Sequence, residues 1–186
     1  KLEILQYPTL GEEIKVETWP KGIDKLFALR DFNIYNSDNK VIAKATTAWL
    51  IIDSKRLRPK RPKIFSERIP SFPTEHAIIE IPEKIIESPK KESVLHKKIR
   101  YTDIDVNNHM NNVKYVEMIL DAFSEDVFKT KKIKAMQVNF LSECKFGDEV
   151  QVFLGTYDDN SNFSFVEGIN KHTNKRGFES TIEWSD

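Results

Sequence analysis

The sequence predicts an α+β protein in which two related antiparallel sheets come from an internal duplication. Three observations support this prediction. Apolar and polar residues alternate with a period of two in segments of both halves, as expected for strands covered on one face. A helical apolar pattern occurs once, in the second half. The two halves also share short motifs at a nearly constant spacing. A sheet with one face to bury is completed by a helix, which makes the class α+β.

The first unit, residues 1–53, is predicted to consist of strands without a helix. Apolar residues alternate with polar or aromatic ones over 14–19. Longer strands, rich in β-branched and aromatic residues, are predicted at 25–35 and 41–52. The residues between them, 36–39, are all turn formers, so these two strands are expected to form a hairpin.

Residues 54–93 are predicted to be a linker. The stretch contains prolines but no glycine, a composition that favours a stiff extended connection. It begins with a basic run, for which a solvated linker is one interpretation. The alternative is a docking patch for a strongly acidic partner. That patch would use Arg56, Arg58, Lys60 and Arg61.

The second unit, residues 94–186, is predicted to add a helix to the same set of strands. Its helix has apolar residues at i, i+3, i+6, i+7 and i+10, namely Val113, Val116, Ile119, Leu120 and Phe123. Asn111 or Asn112 is placed to cap it. The strands are expected at 134–142, 149–157, 162–170 and 177–184.

The duplication can be followed residue by residue. Gly11 and the residues after it match those that begin at Gly147, 136 positions later. Trp49 matches Trp184 at an offset of 135. The polar turn at 158–161 is similar in chemistry to that at 36–39. A repeat of this length indicates two related domains and excludes a solenoid.

The candidate site is the polar segment 101–115, which contains two aspartates, four asparagines and a histidine. It lies just ahead of the predicted helix, where free N–H groups and the positive end of the dipole can hold an oxyanion. Asn111 and Asn112 are the candidates at that position. A cluster that only caps the helix is the structural alternative. A calcium loop is excluded, because Asn108 and Lys114 replace the glycine and the glutamate that it requires.

The segment D-x-D-V-N-N-H-M-N-N-V-K-Y resembles the active-site segment of acyl-acyl-carrier-protein (acyl-ACP) thioesterases of bacteria and plant plastids. Hotdog thioesterases that act on acyl-CoA carry the shorter T-D-x-x-x-H-x-N-N-x-x-Y, which residues 102–115 match in part. The resemblance implies a tandem, or double, hotdog fold, in which each antiparallel sheet wraps round a long helix. The helix of the first repeat is then expected ahead of Lys1 and is missing from the sequence. The absence of Met at position 1 indicates a processed or truncated chain.

The resemblance also implies the catalytic residues, which are Asp105, Asn107, His109, Glu143 and Cys144. Two mechanisms are open. Cys144 could attack as a thiolate with His109 as its base. Alternatively Asp105, Glu143 and His109 could position and deprotonate a water, with Cys144 as a bystander. Carboxylates near Cys144 would raise its pKa and disfavour the thiolate, so we favour water.

The function implied is hydrolysis of fatty acyl-acyl carrier protein to free fatty acid, which ends fatty acid biosynthesis. The alternatives are an acyl-CoA thioesterase of the same fold and a non-catalytic module that binds acyl thioesters. The 29 basic and 29 acidic residues balance, so neither nucleic acid nor membrane is an expected partner. One cysteine excludes a disulfide framework or a Cys-based zinc site, and no metal or cofactor is expected. Acyl carrier protein is the expected partner, a homodimer is left open, and the expected compartment is the cytoplasm, or the stroma in a plant.

Overall fold

The structure is a computed structural model that describes residues 1–53, 56, 58–60, 74–157 and 162–185. The chain divides into two compact units, Lys1–Glu83 and Lys84–Asp186. Within the described ranges no helix is long and apolar enough to cross a bilayer.

Unit 1 is a four-stranded antiparallel sheet in the order β2-β3-β4-β1. Its strands are β1 (Leu2–Ile4), β2 (Lys15–Asp24), β3 (Phe27–Tyr35) and β4 (Val41–Leu50). The predicted hairpin is confirmed: the Asn36 N–H donates to the Lys40 carbonyl at 3.0 Å, and Asn39 takes a left-handed φ of 63°. Asparagine tolerates that conformation better than most residues, which explains the turn.

A short segment of the predicted linker packs on one face of this sheet. The Ala77 N–H donates to Asp31 Oδ2 at 2.8 Å, and the Lys21 ammonium contacts Asp31 and the Ile78 carbonyl. Lys21 and Asp31 are both buried. A buried charge is tolerated only when it is paired and hydrogen-bonded, so this pair fixes the segment to the sheet.

Unit 2 contains two helices and a five-stranded antiparallel sheet in the order β6-β9-β8-β7-β5. The elements in chain order are β5 (Lys90–Lys98), α1 (Asn112–Leu120), α2 (Glu125–Thr130), β6 (Lys132–Phe140), β7 (Glu149–Thr156), β8 (Phe163–Asn170) and β9 (Lys175–Ser185).

The core of unit 2 lies between α1 and one face of the sheet. From α1 it takes Tyr115, Met118 and Ile119, which are all buried. The sheet contributes buried residues from β7, β8 and β9, namely Val150, Val152, Val166, Phe178, Ile182 and Trp184. The α+β class predicted from the period-two strands and the single helical pattern is thus confirmed.

The described strands of unit 1 correspond to the last four strands of unit 2. β1 pairs with β4 as β6 pairs with β9, and Leu2↔Ala45 has its counterpart in Val138↔Ser180. The turn ahead of β2 and the turn ahead of β7 also match. Gly11 has a φ of 86° and Gly147 a φ of 87°. Thr9 N–H donates to Glu12 and Lys145 N–H donates to Asp148, each at 2.9 Å.

The hairpin at 36–39 has a structural counterpart in unit 2. The hairpin that corresponds to 36–39 is 171–174, between β8 and β9, where Asn174 has a φ of 54°. The similarity of 158–161 to 36–39 is one of composition, and residues 158–161 lie outside the described part of the chain. The described residues of unit 1 contain no counterpart of β5, α1 or α2.

The unit boundary falls at Glu83/Lys84, and β5 begins at Lys90, inside the stretch 54–93 that was interpreted as a linker. β5 is an edge strand, paired on one side with β7, and most of its residues are exposed. Charged residues are common on exposed edge strands, and the Lys- and Glu-rich start of β5 was therefore interpreted as part of the linker.

Candidate active site

Within the candidate site segment, residues 104–110 form a closed loop ahead of α1. A helical turn at Tyr101–Asp103 precedes it, and an antiparallel bridge between Ile104 and Met110 closes its base. Inside the loop the Asp105 N–H donates to the His109 carbonyl at 2.9 Å. Asn108 takes a left-handed φ of 63°, which an asparagine adopts at moderate cost.

The Asp105 carboxylate organises this loop from within. Its Oδ1 accepts the Asn107 N–H at 2.8 Å and the His109 N–H at 3.4 Å, and its Oδ2 accepts the Asn107 side-chain amide at 3.4 Å. The hydrogen bond from the Asn107 backbone N–H is the main cause that lowers the pKa of Asp105 from its ordinary value. Asp105, Asn107 and His109 therefore form one hydrogen-bonded unit, with Asp105 ionised at neutral pH.

A backbone contact brings the second half of the predicted set to this loop. The Met110 N–H donates to the Cys144 carbonyl at 2.8 Å, so residues 143–144 lie beside His109. Here His109 Nε2 lies 3.0 Å from Glu143 Oε2. The side chains are 33% and 63% exposed, respectively, so the pair is reachable from solvent. The structure thus joins an imidazole and a carboxylate that are far apart in sequence.

Cys144 faces the other way. The residue is fully buried, and its N–H donates to the Tyr115 hydroxyl at 3.0 Å. Its Sγ lies 3.9 Å from the Asn170 side-chain amide. Burial raises the pKa of the thiol, and Asp148 adds to this, against opposing hydrogen bonds from Tyr115 and Asn170. The direction agrees with the sequence-based expectation, but the cause is burial and Asp148 and not Glu143 or Asp105.

Asn111 and Asn112 lie at the start of α1, and both are exposed. Asn111 is the N-cap: its Oδ1 accepts the Val113 N–H at 2.9 Å. Its own N–H donates to the Asp103 carbonyl at 2.9 Å. Of the two cap candidates, the structure therefore selects Asn111, and the first turn of α1 begins next to the His109 loop.

The basic run lies in unit 1, and its described residues form a turn closed by one carboxylate. Asp53 accepts the Arg56 N–H at 2.8 Å and lies 2.7 Å from the Lys60 ammonium. The Ile52–Pro59 bridge completes the turn. Arg56, Arg58 and Lys60 are exposed, whereas Arg61 lies outside the described residues. Docking by this run stays a prediction.

Two residues of the site's surroundings escaped the sequence analysis, Tyr115 and Asn170. Asn170 is buried and donates to Asp148 Oδ2 at 2.7 Å, while its Oδ1 accepts the His172 N–H at 2.9 Å. Tyr115 is the last residue of the polar motif, and this position is the sequence feature that could have indicated a role in the site. Asn170 ends an apolar strand and gave none. No cluster of three metal-ligating side chains occurs among the described residues.

Comparison with known proteins gives a consistent assignment for both units. A family model described as the acyl-ACP thioesterase C-terminal domain matches residues 86–186, and the model for the N-terminal domain matches residues 1–67. Oleoyl-acyl carrier protein thioesterase 2, chloroplastic, of Arabidopsis thaliana is 26% identical over 185 residues, which are 92% of this chain and 50% of that protein. The protein from Coriandrum sativum is also 26% identical, over 189 residues, with 92% and 50% covered. The chain spans about half the length of these curated relatives.

Solved structures show the same architecture. An acyl-ACP thioesterase from Bacteroides thetaiotaomicron superposes with a TM-score of 0.85 and 26% identity, over 99% of this chain and 73% of that one. A 12:0-ACP thioesterase from Umbellularia californica gives a TM-score of 0.78 at 18% identity, over 99% and 72%, a likeness in fold. The tandem arrangement predicted from the duplication is confirmed by these matches.

Proposed function

We propose, from the premise that this chain belongs to the acyl-ACP thioesterase family, that it hydrolyses the thioester of fatty acyl-acyl carrier protein. The products are the free fatty acid and the carrier thiol, and the reaction ends fatty acid synthesis. The observation that carries the proposal is the contact of 3.0 Å between His109 Nε2 and Glu143 Oε2, on the solvent side of a loop organised by Asp105.

The proposed nucleophile is water. An imidazole paired with a carboxylate can take a proton from a water molecule while the water oxygen attacks the thioester carbon. The new C–O bond gives a tetrahedral oxyanion, which then collapses with breakage of the C–S bond. The proton held by the His109–Glu143 pair passes to the leaving sulfur. The reaction therefore balances as water plus thioester to acid plus thiol, with no other reactant.

The proposed oxyanion donors lie next to this pair. The first turn of α1, which begins at Asn112, presents the positive end of the helix dipole. Its Val113 N–H is already accepted by Asn111 Oδ1 and its Lys114 N–H by the Asn111 carbonyl, each at 2.9 Å, so the proposed donors are side-chain amides. Asn107 and the two asparagines at the helix start carry side-chain amides on the same stretch. Such donors lower the barrier because they are already oriented when charge develops on the oxygen.

Cys144 supports the water mechanism through its placement. A nucleophilic cysteine needs exposure and a lowered pKa. Cys144 is buried, and burial raises its pKa. The catalytic set that we propose is Asp105, Asn107, His109 and Glu143, with Cys144 a packed neighbour.

The carrier protein would be recognised in part by positive charge. Acyl carrier proteins are acidic. The proposed docking patch for them comprises Arg56, Arg58, Lys60 and Arg61. In the structure the Lys60 ammonium is already paired with Asp53. Among the described residues of the patch, we therefore expect Arg56 and Arg58 to contribute more to carrier-protein binding than Lys60. The proposed compartment is the cytoplasm, or the stroma in a plant; the relatives from Arabidopsis and coriander are named chloroplastic.

The experiment is a hydrolysis assay with one acyl chain presented on acyl carrier protein and on coenzyme A. We expect faster hydrolysis of the carrier-bound thioester, with free thiol and free acid in equal amounts. Faster hydrolysis of the coenzyme A ester would move the assignment to an acyl-CoA thioesterase, which the match to T-D-x-x-x-H-x-N-N-x-x-Y also fits. Tight binding of both without hydrolysis would identify a non-catalytic module.

A further inference from the structure

The Glu143 carboxylate reaches His109 from a segment without regular secondary structure. Glu143 lies between β6 and β7, and its side chain is 63% exposed. An exposed side chain on such a segment has many rotamers and backbone states, and holding it in one geometry costs conformational entropy. The backbone on both sides of Glu143 must therefore be fixed for the pair with His109 to persist.

One hydroxyl group bonds to both residues that flank Glu143. The Tyr115 oxygen accepts the Cys144 N–H at 3.0 Å. The same hydroxyl donates to the Ser142 carbonyl at 3.4 Å. A phenol can be donor and acceptor at once, so one side chain brackets the peptide units before and after Glu143.

Tyr115 is itself held in place. It is buried on α1, and its ring makes edge-to-face contacts with Phe140 and Phe178 at centroid distances of 5.5 Å and 5.7 Å. The ring also lies against Gly177, where a Cβ would make an ordinary contact of 3.6 Å with Tyr115 Cε1 and a tight one of 3.3 Å with Cys144 Sγ. Burial raises the pKa of Tyr115, so the hydroxyl keeps the proton that it donates.

Other hydrogen bonds hold the ends of the same segment. The Leu141 and Ser142 N–H groups donate to the Gly177 carbonyl at 2.8 Å and 3.2 Å. The Ser142 Oγ donates to the Arg176 carbonyl at 2.8 Å, which fixes the segment to β9. The Met110 N–H donates to the Cys144 carbonyl at 2.8 Å, which fixes it to the His109 loop. The Tyr115 hydroxyl is the link between these two anchors and α1, the helix that begins beside the same loop.

We propose that Tyr115 is a positioning residue whose hydroxyl holds the Glu143 carboxylate against His109. The inference rests on the proposed hydrolytic function. It is carried by the two hydrogen bonds that bracket Glu143 and by the packing of the ring.

The test is a double-mutant cycle in the full chain with Y115F, E143Q and Y115F/E143Q, assayed with acyl-carrier-protein thioester. The matched control is Y157F, because the Tyr157 hydroxyl also donates to a backbone carbonyl, that of Ile86 at 2.8 Å, on a different part of unit 2. Y115F should lower kcat by about 10- to 100-fold, the effect of a misplaced catalytic group, with a much smaller change in KM. Y157F should retain the wild-type kcat.

The double variant decides whether Tyr115 acts through Glu143. If it does, Y115F/E143Q should have the kcat of E143Q alone, because the position of a carboxylate that is already absent cannot matter. Losses that multiply in the double variant would overturn the proposal. So would a Y115F enzyme with wild-type kcat.

A second readout does not depend on hydrolysis. In protein labelled with ¹⁵N-histidine, the Nε2 signal of His109 should move in Y115F toward its position in E143Q and stay unchanged in Y157F. If the wild type hydrolyses no thioester, the proposed function fails while this comparison still decides the positioning role. If Y115F is not folded at the assay temperature, 4-aminophenylalanine at position 115 replaces it. That residue keeps a donor for the Ser142 carbonyl but accepts poorly from the Cys144 N–H. A wild-type kcat and an unmoved Nε2 signal in that variant would equally overturn the inference.

Discussion

His109 and Glu143 are 34 positions apart in sequence, yet the imidazole Nε2 and the carboxylate Oε2 lie 3.0 Å apart. The separation is bridged by α1, α2 and β6, which carry the chain away from the loop and return it. This contact is the point at which the structure joins the two parts of the predicted catalytic set, and the predictions on activity depend on it.

H109A should lower kcat by about 10²- to 10⁴-fold, the usual effect of removing an acid–base group. The protein should stay folded, because His109 is partly exposed and lies on a loop. Steady-state kinetics and thermal unfolding check both expectations. The control is H96A, which removes an exposed histidine from β5. An H109A enzyme with more than about half of the wild-type kcat would place the base elsewhere.

C144A should keep substantial activity, with a loss of about tenfold at most from the small cavity that it leaves near Asn170. The reason is that the buried thiol has a raised pKa and lies on the core side of the segment. Intact-mass spectra recorded during turnover should show no acyl adduct on Cys144. A trapped adduct that breaks down at the rate of turnover would make Cys144 the nucleophile and exclude the water mechanism.

E87Q should reduce stability in a defined pH range. The Lys91 ammonium first, and then the Arg176 guanidinium, lower the pKa of Glu87 from 4.5 to about 2. A carboxyl with a lowered folded-state pKa stabilises the fold above its unfolded value, and this contribution is lost as the pH falls. The difference in Tm between wild type and E87Q should therefore be widest above pH 4.5 and close as the pH falls toward 2. E92Q removes an exposed carboxylate from β5 and is the control. A difference that stays constant over that range would show that the ion pairs do not stabilise the fold.

R56E/R58E should raise KM for acyl-carrier-protein thioester and leave KM for the coenzyme A ester unchanged. Exposed charges at the edge of an interface mainly change the rate of association, and salt screens them. The increase in KM should therefore become smaller as ionic strength rises. Steady-state kinetics at two salt concentrations measure it. K25E/K132E, which reverses two exposed lysines elsewhere, controls for net charge. Equal effects on both substrates would return the run to the linker interpretation.

Much of the fold followed from local signals. The turn formers at 36–39 predicted the hairpin that the structure contains, and an asparagine at the helix start predicted the cap at Asn111. These features depend on neighbours in sequence, which is why a sequence can indicate them. The first residues of the edge strand β5 were assigned to the linker, because its exposed, charged residues show no apolar alternation.

The candidate site was predicted in its residues but not in its geometry. The Tyr115 contact with Cys144 and the Asn170 contact with Asp148 join residues 29 and 22 positions apart, and no local pattern encodes them. The burial of Cys144 could not be inferred either, because a cysteine between Glu143 and Lys145 has charged neighbours on both sides. The assignment of catalytic roles to these residues stays a prediction.

The matched turns at Gly11 and Gly147 allow the proposed site in unit 2 to be compared with the equivalent positions of unit 1. When these turns are aligned, Glu143 and Cys144 of unit 2 fall on Tyr7 and Pro8 of unit 1. Tyrosine offers no carboxylate for an imidazole, and proline has no N–H to bond to a phenol. Unit 1 therefore shares the turn but differs at the position of the proposed carboxylate, Glu143, and at its neighbour Cys144. Each chain should consequently bind one equivalent of a non-hydrolysable acyl thioester in a calorimetric titration.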